Sequence, residues 1–79
     1  GWAEHKVRVN CIAPGWIETK LNKELRSDKE QYDKIKDRTP MKRWGNPKEI
    51  AGAAVYLASE KSSFTTGTTI IVDGGYSIA

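Results

Sequence analysis

The sequence predicts an α/β fold in which two parallel strands are joined through a crossover helix. Three observations predict it. Two short runs rich in β-branched residues, VRVNCIA (residues 7–13) and TTIIV (residues 68–72), carry apolar side chains toward both faces, which suits a parallel sheet covered by helices. Each run closes on strong turn residues, Pro14-Gly15 and Asp73-Gly74-Gly75. Between them stands one well-marked amphipathic helix, residues 46–59.

Taken in order, the first strand covers residues 7–13 and stops at Pro14-Gly15, and residues 16–19 form a loop. Residues 20–37 have helix-forming composition with only Leu21, Leu25, Tyr32 and Ile35 as apolar anchors. Ser27-Asp28 splits that stretch into two short helices, and so sparse a stripe predicts a weakly buried, mobile segment. Thr39-Pro40 breaks it. The next helix has the clearest start in the chain: Asn46 as N-cap, Pro47 at the first helical position, and Glu49 placed to close a capping box. Ile50, Ala51, Ala54, Val55, Leu57 and Ala58 then recur at helical spacing, and the helix ends near Ser59. Residues 61–67 are polar and turn-rich, and residues 68–72 form the second strand. One helix can cover only one face of two such strands, so one face and one edge of the sheet are left bare.

The 79 residues make one small domain or part of a larger one. Cys11 is the only cysteine, so no internal disulfide is available, and in its apolar run it reads as a small buried hydrophobe. His5 is the only histidine, and no cysteine–histidine cluster suggests a metal. The net charge of +3 arises mostly between Lys20 and Arg43, where nine basic residues are interspersed with five acidic ones. That mixture describes a solvated helical face rather than a phosphate-tracking patch, and no nucleic-acid motif accompanies the charge, so a basic nucleic-acid binder is only the third reading. No apolar run reaches the roughly 20 residues of a membrane span, and no leader pattern is present. The expectation is a soluble cytoplasmic protein.

Three blocks carry a resemblance to a known family. VRVNCIAPGWIET (residues 7–19) resembles the strand and loop after the catalytic helix of the short-chain dehydrogenases/reductases. NPKEIAGAAVYLAS (residues 46–59) resembles their penultimate helix, and SSFTTGTTIIVDGG (residues 62–75) their last strand and closing turn. The resemblance covers nearly the whole chain. It implies the C-terminal βαβ portion of a single Rossmann-like, doubly wound parallel sheet that binds NAD or NADP across the carboxyl ends of its strands. It further implies that Pro14 and Gly15 bring the backbone close to the nicotinamide, that the main chain of Ile17 bonds the carboxamide, and that the Thr19 hydroxyl lies near the carboxamide or diphosphate. Thr19 can also cap the helix that follows. Trp16 is placed on the substrate side, or packs. Residues 20–42 match the substrate lid, and the family implies a dimer or tetramer.

The same resemblance implies that this chain is inactive alone. The family transfers hydride between nicotinamide and the carbon of an alcohol or ketone, using a Tyr with a nearby Lys, a Ser, and a Gly-rich diphosphate turn, all upstream of the matched strand. Tyr32 and Lys36 have the Tyr-x-x-x-Lys spacing, yet they follow the Pro-Gly turn and so belong to the lid. The run RTPMKRWG (residues 38–45) resembles the sugar-acid branch, such as gluconate or deoxygluconate dehydrogenases. A 3-oxoacyl-carrier-protein reductase shares the three blocks. A non-catalytic module that pairs through its bare sheet edge is the reading from another class.

Overall fold

A computed structural model describes residues 6–78. Strand β1 is Cys11–Pro14, helix α1 Lys23–Ser27, helix α2 Lys29–Arg38, helix α3 Pro47–Ala58 and strand β2 Thr69–Val72, with single 3₁₀ turns at Glu60–Ser62 and Tyr76–Ile78. The strands pair in parallel, Cys11 opposite Thr69 through Pro14 opposite Val72, as the crossover required. Such a βαβ arrangement is the portion of a doubly wound sheet that the sequence predicted.

The first strand is shorter than the apolar run. Residues 7–10 lie opposite the turn that precedes β2, so side chains replace the missing ladder. Asn10 Nδ2 donates to the Thr65 carbonyl at 3.1 Å while its Oδ1 accepts from Thr68 N at 3.1 Å. Gly67 N donates to the Val9 carbonyl at 2.8 Å. Arg8 reaches the Leu57 carbonyl at the end of α3 at 2.9 Å. These bonds tie the incoming chain to both the helix end and the second strand.

Helices α1 and α2 separate at Asp28, whose backbone is extended and whose carboxylate accepts from the amides of Glu30 and Gln31. Helix α3 begins as its sequence dictated, with Asn46 accepting from Lys48 N and Glu49 reaching back to Asn46 N to complete the capping box.

Little is buried. Trp44 is the one buried hydrophobic residue among the described residues, and Thr39 and Ser62 are the buried polar ones. Ile12, Ile70 and Val72 are half-buried, on the side of the sheet that α3 covers. The alternate positions Cys11, Thr69 and Ile71 are exposed. Cys11 is therefore not the buried hydrophobe expected: strand alternation turns it to the bare face. Leu21, expected to anchor the lid, is fully exposed as well, because the chain has not yet entered α1 there. No described helix is long and apolar enough to cross a membrane.

Candidate functional site at the carboxyl ends of the strands

Beyond Pro14 the parallel ladder continues for one more bond, Gly15 N to the Val72 carbonyl at 2.9 Å. This draws the Pro-Gly turn against the Asp73 backbone. A Cβ on Gly15 would lie 2.5 Å from Asp73 Cβ and 2.7 Å from Asp73 Cα. Glycine is required here by the neighbouring strand end. On the far side, Asp73 organises the closing turn by accepting from Gly75 N at 2.8 Å and Ser77 N at 3.0 Å. Hydrogen bonding from Ser77, first its side chain and then its backbone, holds the Asp73 carboxyl below its ordinary range.

The chain then runs alongside the segment that precedes α3. Ile17 forms a parallel bridge with Gly45, made by Gly45 N to the Trp16 carbonyl and Glu18 N to the Gly45 carbonyl, both 3.0 Å. In such a bridge the Trp16 carbonyl and the Glu18 N–H point toward Gly45, and the N–H and C=O of Ile17 itself point to the opposite edge. On that edge the Ile17 carbonyl accepts from Asn22 Nδ2 at 2.6 Å. The Ile17 N–H donates to no group among the described residues.

Asn22 holds the rest of the loop. Its Oδ1 accepts from Thr19 N at 3.0 Å and from Arg26 Nε at 2.8 Å. The Arg26 guanidinium also donates to the Thr19 carbonyl at 2.8 Å and lies 3.8 Å from the Glu18 carboxylate. Thr19 is thus not the helix N-cap. Asn22 occupies that position, with its side chain turned back to the loop instead of to the helix amides. The Thr19 hydroxyl makes no hydrogen bond among the described residues.

An aromatic cluster seats α2 against this loop. The Tyr32 and Trp44 rings stack 5.2 Å apart at 6°, and Trp44 Nε1 donates to the Tyr32 carbonyl at 3.1 Å. Trp16 packs on Trp44 at 5.7 Å and edge-on to Tyr76 at 6.4 Å. Arg38 lies over the Tyr76 ring, 5.6 Å from its centroid. Trp16 therefore packs while remaining 38% exposed. The Tyr32 hydroxyl donates to Glu18 Oε1 at 2.8 Å, and that bond, with burial and the Glu18 charge, raises its pKa above the ordinary 10.0. A phenol working as a general base needs the opposite shift. Lys36 lies 3.7 Å from Asp33, one turn away on the same helix.

Pro14, Gly15, Trp16, Ile17 and Thr19 all line one open groove of about 630 Å³, whose opposite wall is Pro47, Ile50 and Ala51 at the start of α3. Asn22 lines it too. Sequence reasoning missed Asn22, Glu18 and Gly45. The Asn-x-x-x-Arg spacing of Asn22 and Arg26 on a helix start was the one available signal.

A family model described as enoyl-(acyl carrier protein) reductase matches residues 1–77. The chain belongs to the short-chain dehydrogenase/reductase family. It is 47% identical over 75 residues to the 2-dehydro-3-deoxy-D-gluconate 5-dehydrogenase of Dickeya dadantii, a match covering 95% of this chain and 30% of that protein. It is 46% identical over 77 residues to a galactitol 2-dehydrogenase of Cereibacter sphaeroides, again 30% of that protein. The gluconate 5-dehydrogenase of Burkholderia cenocepacia, solved in complex with NADP and tartrate, superposes with a TM-score of 0.91 at 45% identity over 99% of this chain and 31% of its own. This member of the family thus spans about 30% of the length of the relatives it matches.

Proposed function

We propose that these residues form the nicotinamide-side wall and the lid of an NAD(P)-dependent oxidoreductase that interconverts a secondary alcohol and a ketone on a sugar acid of the gluconate type. Residues 1–79 make part of one dinucleotide-binding domain, and residues 20–42 are its substrate lid. The observation that carries the reading is the groove: the five positions assigned to the cofactor and substrate side converge on it, and the Ile17 N–H, held by a bridge on one side and Asn22 on the other, is left as a donor on its edge. That donor suits a carboxamide oxygen, and the Trp16 face suits the substrate side.

The cofactor supplies the hydride chemistry, and this chain's part is to bind and orient. Pro14-Gly15 ends the strand so that the backbone turns along the groove. Ile17 offers its N–H there, and Thr19 an uncommitted hydroxyl. NADP is bound in the Burkholderia cenocepacia relative. NADH is bound in a 4-hydroxyisoleucine dehydrogenase with a TM-score of 0.94 and 35% identity. Either dinucleotide therefore fits the fold. The substrate is a small molecule, and the family's dimer or tetramer is the expected assembly.

A second reading, a 3-oxoacyl-carrier-protein reductase, is favoured by the acyl-carrier-protein substrate in the matching family's description. One assay separates the two. The whole polypeptide that carries these residues should reduce NAD(P) with gluconate or a deoxygluconate, and turnover should survive Tyr32→Phe with less than about a tenfold loss. The 79-residue chain alone should give none. Turnover with an acetoacetyl thioester and none with sugar acids would transfer the assignment to the second reading, and a whole polypeptide that binds neither dinucleotide would overturn both.

A further inference from the structure

We infer that Asn22 is a positioning residue for the nicotinamide half of the cofactor, acting through the Ile17–Thr19 backbone; the inference rests on the proposed reading of the groove. Asn22 bonds the segment from both ends. Its Nδ2 donates to the Ile17 carbonyl at 2.6 Å, and its Oδ1 accepts from Thr19 N at 3.0 Å. The orientation of the amide is settled by chemistry. Oδ1 faces two groups that can only donate, Thr19 N and Arg26 Nε at 2.8 Å, so the nitrogen must face the Ile17 carbonyl. Arg26 in turn is held by the Thr19 carbonyl at 2.8 Å and stands beside Glu18. The clamp therefore has an outer support and is itself part-buried.

Asn22 grips the Ile17–Glu18 peptide by its carbonyl, and the adjoining Trp16–Ile17 peptide carries the uncommitted Ile17 N–H on the same edge. In an extended segment the N–H and C=O of one residue point the same way. Fixing the Ile17 carbonyl therefore fixes the direction of its N–H. The Gly45 bridge holds these two peptides from the opposite edge, through the Trp16 carbonyl and the Glu18 N–H, and Asn22 braces the loop on the edge where the Ile17 N–H stands. Asn22 also explains its own odd placement. It stands at the N-cap of α1 yet leaves the helix amides unbonded, having given its side chain to the loop.

The test is made on the whole polypeptide that carries these residues, by comparing binding of NADH and NADPH with binding of ADP-ribose and its 2′-phosphate. The latter pair lack only the nicotinamide. Asn22→Asp keeps the acceptor but sets a carboxylate oxygen against the Ile17 carbonyl. It should weaken the dinucleotide about tenfold and leave the ADP-ribose ligand unchanged. Asn22→Ala adds no charge and should give the same split, about fivefold, if the Asp variant does not fold. A merely structural role would weaken both ligands together or neither, and either result overturns the inference while leaving the groove's assignment intact. A wild type that binds ADP-ribose but gains nothing from the nicotinamide overturns the inference together with the assignment of Ile17. A wild type that binds none of the four overturns the reading of the groove, and the inference falls with it.

Discussion

At the scale of single residues, Gly15 is the position least open to change. Its own backbone needs no left-handed conformation; the constraint comes from Asp73, whose Cα and Cβ would stand 2.7 and 2.5 Å from an added methyl. Neither atom is the far end of a flexible side chain, so the strand ends must part. Gly15→Ala should cost about 2 kcal/mol of stability, read from denaturant unfolding of the whole polypeptide. A loss indistinguishable from zero would mean that the two turns separate freely. Gly45 presents the milder case, because its added Cβ would meet only the tip of Ile17 at 2.6 Å, and that tip can rotate away.

At the scale of elements, α3 owes its start to local chemistry. Arg43 grips both Glu49 oxygens, at 2.7 and 2.9 Å, while the same carboxylate accepts from Asn46 N. The Arg43 bonds first, and the Asn46 amide second, hold the Glu49 carboxyl down to about 2, against an ordinary 4.5. The folded value lies below the unfolded one. The pair's contribution is therefore present above pH 4.5 and is lost as pH falls from 4.5 toward 2. The pair is largely exposed, so salt should weaken it. Carbon-detected NMR titration should place the Glu49 midpoint near 2, and Arg43→Met should return it toward 4.5. An unmoved midpoint in that variant would assign the shift to the capping box alone. Helices α1 and α2 depend on different forces. α1 and α2 contain no buried residue, and what seats them is the Tyr32–Trp44 stack and the bonds of Arg26 and Glu18. A segment held by few buried contacts lies at the low end of local stability.

At the scale of the whole molecule, the described core is too small for its surface. The chain exposes 6237 Å². A compact monomer of its 8.8 kDa would expose about 4,800 Å². The uncovered side of the sheet carries Cys11 and Ile71, the latter 58% exposed, and Phe64 stands wholly in solvent. Relatives about three times longer supply further chain to the same fold. Cys11 should thus alkylate readily with iodoacetamide in the 79-residue chain and at least about tenfold more slowly in the whole polypeptide. Equal rates would mean that this face stays bare in the complete protein.

The elements whose causes are local were legible in the sequence. The capping box of α3, the break at Asp28, the stop at Pro14-Gly15 and the parallel pairing of two doubly apolar strands all follow from neighbours within a few residues or from the crossover rule. The five positions that the resemblance assigned to the cofactor and substrate side line one groove. Features that depend on partners distant in the chain were not legible. The exposure of Cys11 was decided by which sheet face α3 covers, and the true length of β1 by where β2 begins. The need for glycine at position 15 came from Asp73, and the burial of Trp44 from an aromatic cluster gathered from the loop, α2 and the closing turn. The turning of Asn22 away from its helix was decided by the Ile17 carbonyl that the bridge to Gly45 presents to it. A sequence records propensities and periodicities along the chain, and close packing and hydrogen-bond competition between distant segments are settled only when the fold brings them together.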